Sequence, residues 1–202
     1  MPVNREAAAR AISDFLKALG FDPHEHADLA ETPERVAQAF AEDLLTGHTV
    51  DVRELLRQGS CPASGVSGWS SSSSGSLVAV TEIAVASTCP HHLLPAWGRA
   101  HVVYQPGAAL LGIGTIAALV DAFARRLTLQ EAIAQNVVNA LVEHGGARGA
   151  YCELELEHGC LRTRGERQAR ALVRSSARAG ELLGREAVAE IALALGRARG
   201  DG

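Results

Sequence analysis

From Tyr151 to Cys160 the chain alternates without interruption: Glu153, Glu155 and Glu157 fall on one side of a two-residue period, and Cys152, Leu154, Leu156, His158 and Cys160 on the other. Only an extended strand keeps those two sets on separate faces, so the stretch belongs to a sheet with one apolar and one polar side. On this reading the glutamates take the solvent. The same period sets His158 and Cys160 side by side at the end of the apolar row.

The remaining elements follow from spacing and punctuation. Asn4 is placed to cap a helix in which Ile12, Phe15, Leu16 and Leu19 recur at helical intervals, and Gly20 stops it. Thr32-Pro33, a cap followed by proline at the first helical position, opens a second helix that carries Val36, Phe40 and Leu44 toward Gly47. Residues 1–57 therefore read as an N-terminal helical arm. Residues 58–76 turn to Gly, Ser and Pro, with the run Ser70 to Ser74, and hold too little apolar surface to offset ordering; they read as a mobile loop.

Residues 77–202 form the main domain. Leu77 to Ala86 and Ala100 to Tyr104 read as strands separated by a turn at Leu94-Pro95-Ala96-Trp97-Gly98. Gly112 and Gly114 introduce a helix with Ile116, Leu119, Val120 and Phe123 on one face, ending near Leu127. Another begins at Thr128, where Thr128 and Glu131 have capping-box spacing, and stops at Gly145-Gly146. A last helix carries Leu182, Leu183, Val188, Ile191 and Leu195. Helices, strands, helices and a strand in that order indicate an α+β fold.

Composition narrows the function. With 202 residues, 47% of them hydrophobic and 21% charged, the chain can bury a real core. A formal net charge of -4 argues against nucleic acid as a partner, although basic residues crowd between Arg162 and Arg178 and suit a small phosphorylated ligand. No stretch approaches the ~18 apolar residues that span a bilayer, and Met1 to Arg10 hold no apolar signal core, so no membrane role and a cytoplasmic location are expected. Four cysteines in such a chain point to metal binding or burial before disulfides.

Two clusters hold the chemistry. Cys89-Pro90-His91-His92 follows a strand end and His158-Gly159-Cys160 ends another, which together give two thiols and three imidazoles. Zn2+ favours this ligand set, and three protein ligands with an open position is its catalytic form. The other two imidazoles suit proton transfer. A closed four-ligand structural zinc, or plain core thiols with hydrogen-bonded histidines, would account for the same residues.

The motifs Cys89-x-His91-His92-Leu93-Leu94-Pro95, Gly98-Arg99-Ala100-His101-Val102-Val103-Tyr104, Phe123-Ala124-Arg125-Arg126-Leu127, Gln130-Glu131, His158-x-Cys160 and Arg164-Gly165 occur in that order. With Thr32-Pro33-x-Arg35-Val36-Ala37 they resemble the GTP cyclohydrolase I family from about Thr32 to Gly165. The resemblance implies the tunnelling fold: an antiparallel sheet with two packed helices, joined around an oligomeric β-barrel as a homodecamer of two pentamers, with active sites between subunits. It implies zinc held by Cys89, His92 and Cys160, and His91 and His158 as catalytic groups beside the purine imidazole ring. It further implies Glu131, helped by Gln130, on the guanine edge, and Arg35 and Arg164 near phosphate. The implied activity is opening of GTP to dihydroneopterin triphosphate with loss of formate, a step toward pterins and tetrahydrofolate. On spacing alone Glu131 would instead be a helix cap.

The chain also departs from that pattern. The family segment Gly-Leu-Ser-Lys-Leu-x-Arg is here Gly112-Ile113-Gly114-Thr115-Ile116-Ala117-Ala118, and Pro90 stands where glutamate is usual. In the resembled family the lysine and arginine clamp triphosphate. Losing two charge-assisted contacts of ~1.5–3 kcal/mol each weakens that grip by about two to four orders of magnitude. Arg167, Arg170, Arg174 and Arg178 replace a threonine-rich stretch and either restore phosphate contacts or form a solvated face. GTP is thus the default substrate, a less phosphorylated guanine compound or another fused imidazole the competitor, and a noncatalytic zinc-stabilised assembly the third reading.

Overall fold

The computed structural model describes residues 3–66, 76–165 and 167–197, and in it Asn4 accepts a 2.9 Å hydrogen bond from the Ala7 amide to open α1, Arg5–Ala18. Gly20, at φ +89°, ends the helix as its sequence requires, with the Phe21 amide turning back to the Leu16 carbonyl at 3.0 Å. Helix α2, Thr32–Ala39, starts with proline in its first turn and runs on through a π-helical turn, Phe40–Leu44. These elements make up one compact unit, Met1–Thr46; the second is Gly47–Gly202.

Helix α3, Val52–Gln58, is capped by Asp51 and buries Leu56 completely in the main core. Strand β1, Ser60–Pro62, lies in the segment expected to be loop and pairs antiparallel with β4, Ala109–Leu111. The serine run Ser70 to Ser74 lies outside the described residues.

The main sheet has the order β2-β3-β5-β6, from β2 Val78–Thr88, β3 Pro95–Gln105, β5 Gly149–His158 and β6 Val173–Gly180, all antiparallel. Two helices, α4 Ile113–Ala124 and α5 Gln130–Glu143, supply Ile116, Leu119, Val120, Ile133, Val137 and Leu141 to a core that includes Val85, Val102, Leu154 and Leu156 from the sheet. The period-two and period-3.6 patterns thus meet at one apolar layer. No helix among the described residues is long and apolar enough to cross a membrane.

Four sequence expectations need correction. The turn placed at Leu94 to Gly98 is Cys89 to Leu94 instead, because Pro95 already opens β3, where a missing N–H is tolerated. Strand β6 was read only as basic residues, and the last helix, α7, is confined to Ala187–Ala194. Two of the three glutamates do not take the solvent, Glu153 being 7% exposed and Glu155 3%, while Glu157 stays half-exposed.

Their face of the sheet is covered by other parts of the chain. Val103, Leu182, Ala187 and Ile191 form a second apolar cluster there, and beside it Glu155 accepts from Arg99 at 2.8 Å and pairs with Arg174 at 2.7 Å. Register explains both contacts, since Glu155 lies opposite Arg99 on β3 and opposite Arg174 on β6. Arg197 reaches Glu153 at 2.6 Å, and the Tyr151 hydroxyl donates to the same carboxylate at 2.7 Å.

Burial alone would raise the pKa of Glu155, but the Arg99 hydrogen bond and the charges of Arg174, Arg99 and Arg197 outweigh it and hold the carboxyl below its ordinary range. A folded-state pKa depressed in this way stabilises the protein above the unfolded value of about 4.3, and that contribution fades as pH falls through the folded value. Urea unfolding from pH 7 downward should therefore show Glu155→Gln less stable than the parent at neutral pH. Below about pH 4 the two curves should converge. Parallel curves would show that the carboxylate charge does not contribute.

Candidate active site

The β2–β3 connection is short and tightly held. The Cys89 amide donates to the Leu94 carbonyl at 3.0 Å, the Leu93 amide donates to the Cys89 carbonyl at 2.9 Å, and Leu93 takes the left-handed conformation at φ +55°. This corner presents Cys89, His91 and His92. The register of β3 on β5 puts Ala96 opposite His158, so the end of β5 arrives beside the corner.

Cys160 is not on the strand. The β3 ladder ends opposite His158, and the chain turns at once into the short helix α6, Gly159–Arg162. Glycine is needed at the turn, because a Cβ on Gly159 would stand 2.9 Å from the Pro95 carbonyl oxygen. The helical turn carries the Cys160 sulfur back toward the corner. One ligand atom each from Cys89, His92 and Cys160 then lie within 4.8 Å of one another.

The first residues of α5 close the opposite side. A cleft of ≈ 200 Å³ is lined by Cys89, His91, Gln130, Glu131, His158 and Cys160 among others. Glu131 does not cap its helix: α5 begins at Gln130 with Leu129 as N-cap and no side-chain capping bond, and Thr128 Oγ1 is engaged only at 3.5 Å with the Leu129 carbonyl. Its exposed carboxylate at the cleft therefore has no capping duty. Gln130 is 4% exposed, donates to the Leu154 and Val173 carbonyls at 3.2 and 3.0 Å, and meets His158 Nε2 through Oε1 at 2.8 Å. Those bonds point its amide at the protein.

The donor set of the cluster suits a divalent cation. Burial pushes the Cys160 thiol up, and the adjacent Cys89 sulfur pushes it further. A divalent ion held by the two sulfurs would reverse both effects and favour the thiolate pair. Two sulfurs, one imidazole and an open side facing the cleft fit a catalytic zinc set. Desolvation lowers the pKa of His158, partly countered by the Glu131 carboxylate. Cys152, fully buried and pushed up to about 12 by desolvation, is an inert core thiol.

Arg164 Nη1 lies 2.9 Å from His92 Nε2. A guanidinium only donates, so that nitrogen accepts here. With a metal on either ring nitrogen, Nε2 is a ligand or carries the ring proton, and neither accepts from arginine. A bound ion and the exposed Arg164 side chain would therefore compete for this ring.

Arg35 lies in the first unit, exposed and ion-paired with Glu31. Arg174 is tied to Glu155, and Arg178 donates to the Gly184 carbonyl at 3.3 Å, so both belong to the sheet. Arg167 and Arg170 are exposed. In the first turn of α4, Gly114 faces open space and Thr115 spends its hydroxyl on the Gly59 carbonyl at 3.5 Å.

A family model described as GTP cyclohydrolase I matches residues 8–195. The chain belongs to the GTP cyclohydrolase I family. A GTP cyclohydrolase 1 of Campylobacter jejuni subsp. doylei is 35% identical over 89% of this chain and 88% of its own length. Another, from Chromobacterium violaceum, is 39% identical over 79% of this chain and 72% of its own. The apo archaeosine synthase QueF-Like crystal structure shows a partial likeness, at TM-score 0.42 and 20% identity over 52% of this chain and 94% of that one. The GTP cyclohydrolase I family is one of hydrolases with the tunnelling fold, and its antiparallel sheet backed by two helices is the architecture described above.

Cobalt(II) provides a direct check of the cluster. Titrated into the purified chain, it should produce intense thiolate-to-metal absorption at one equivalent. Cys160→Ser should weaken the band and lower affinity at least about 100-fold, beyond the usual effect of losing a group behind a ligand. An unchanged band in that variant would remove Cys160 from the ligand set.

Proposed function

We propose that this chain is a zinc-dependent cyclohydrolase that opens the imidazole ring of GTP at C8, releases that carbon as formate and yields 7,8-dihydroneopterin triphosphate. The observation that carries the reading is the convergence of Cys89, His92 and Cys160 within 4.8 Å, beside a cleft that also holds His91, His158 and Glu131. Family membership supplies the substrate class, since the curated relatives are GTP cyclohydrolase 1 enzymes.

Cys89, His92 and Cys160 would hold the zinc, whose chemistry is to lower the pKa of water to roughly 7 and polarise the carbon under attack. The protein groups do the rest. Glu131 accepts hydrogen bonds from the N1 and N2 donors of guanine, an edge that adenine does not present. His158 and His91 line the cleft and deliver protons to the ring nitrogen as each C–N bond at C8 breaks. Two water molecules are consumed before C8 departs as formate. The tight Cys89 to Leu94 corner and the α6 turn hold these side chains in place, which limits the reorganisation needed at reaction. The same reading includes a cytoplasmic enzyme of pterin and tetrahydrofolate synthesis, assembled as a decamer of two pentamers.

One observation favours a second reading. The first turn of α4 offers Gly114, Thr115 and Ala118 where a triphosphate would need cations, and Ile113 is 71% exposed there. A guanine compound with fewer phosphates, or another fused imidazole, loses less from that change.

Formate measured from zinc-loaded protein given GTP, GMP, guanosine and guanine separates these readings. GTP should release formate and, after oxidation, give a fluorescent pterin; His158→Asn should lower kcat by roughly 10²–10⁴-fold. Formate from the lighter compounds alone selects the second reading, and none from any of them overturns the GTP reading and the choice of any guanine compound.

A further inference from the structure

Gln130 sits at the first position of α5, buried, with every polar atom of its amide directed at the protein. The amide nitrogen lies 3.2 Å from the Leu154 carbonyl on β5 and 3.0 Å from the Val173 carbonyl at the start of β6. Carbonyls only accept, so the group between them must be the NH2, which has two hydrogens for two acceptors. Turning the amide over would set its oxygen against both carbonyl oxygens and leave two N–H groups facing one ring nitrogen. The strand carbonyls therefore decide which end of the amide meets His158.

That end is Oε1, 2.8 Å from His158 Nε2. An amide oxygen cannot donate, so the bond exists only if Nε2 carries hydrogen. We infer that Gln130 is a positioning residue that fixes neutral His158 as the Nε2–H tautomer and leaves Nδ1 as the nitrogen that gives and takes a proton. The sheet itself sets the tautomer: two carbonyls orient one amide, and the amide orients one ring. This deepens the proposed function, because it says through which atom His158 would serve as proton donor. It also makes Gln130 a residue that acts on turnover without touching the substrate.

Solid-state ¹⁵N NMR of the full-length protein labelled at histidine, at a pH above the imidazole range, reads the tautomer directly, with His158 assigned by the signal lost in His158→Asn. The parent should show Nε2 protonated and Nδ1 bare. Gln130→Met removes the acceptor and should give a mixture of tautomers. In formate-release kinetics, Gln130→Met should lower kcat about tenfold or more with KM within about twofold, since general acid catalysis needs the correct nitrogen. A Gln130 that recognised guanine would instead raise KM.

A parent spectrum showing Nδ1–H or mixed tautomers at His158, or an unchanged spectrum in Gln130→Met, overturns the inference. If Gln130→Met fails to fold, the parent spectrum still decides it. Protein that shows the fixed tautomer but releases no formate from any guanine compound overturns the proposed function and leaves this inference standing.

Discussion

The register of β3 on β5 is the constraint on which the site depends. With Ala96 opposite His158, the start of one strand and the end of the other coincide, and the short chain segments beyond them have to meet. One of these carries Cys89, His91 and His92, and the other carries Cys160. A slip of one residue would turn Leu154 and Leu156 out of the core and reverse the face on which His158 lies. The apolar layer that stabilises the fold thus also fixes the geometry of the cluster, so stability and site precision come from the same residues.

The opposite face of the sheet follows a different logic. Glu153 and Glu155 are buried carboxylates, and each is met by arginine: Arg197 for the first, Arg99 and Arg174 for the second. Burying a carboxylate is costly unless it is paired and hydrogen-bonded. Here the pairing comes from cross-strand neighbours, which makes the arrangement depend on register as strictly as the apolar face does. The basic stretch after Gly165 is largely accounted for by this structural demand. Arg174 and Arg178 are sheet residues, and a phosphate-binding role for that stretch would fall to Arg167 and Arg170.

Much of this was legible in the sequence. Period and punctuation located α1, α2, α4 and α5, and alternation located β5, because each rests on a local pattern of apolar residues. The metal-capable cluster was legible as a candidate from residue type, two thiols and three imidazoles in two short segments, although a structural zinc or core thiols accounted for the same residues. What stayed hidden was set by tertiary context. Strand β6 has alanine, serine and arginine where a strand usually shows β-branched residues, and only its pairing with β5 identifies it. Alternation separates the two faces of a strand but cannot say that both will be covered, so Glu153 and Glu155 read as solvated. Capping spacing at Thr128 and Glu131 likewise lost to the actual start of α5 at Gln130, whose amide serves two strands and a histidine.

The central claim is that three side chains from two chain segments converge on one divalent ion. X-ray absorption at the zinc edge of the purified, zinc-loaded protein tests it most directly. The account predicts one ion per chain with two sulfur neighbours at about 2.3 Å and one imidazole nitrogen at about 2.0–2.1 Å, the shell being completed by a light atom. A shell of oxygen and nitrogen alone, or no ion retained, would contradict it.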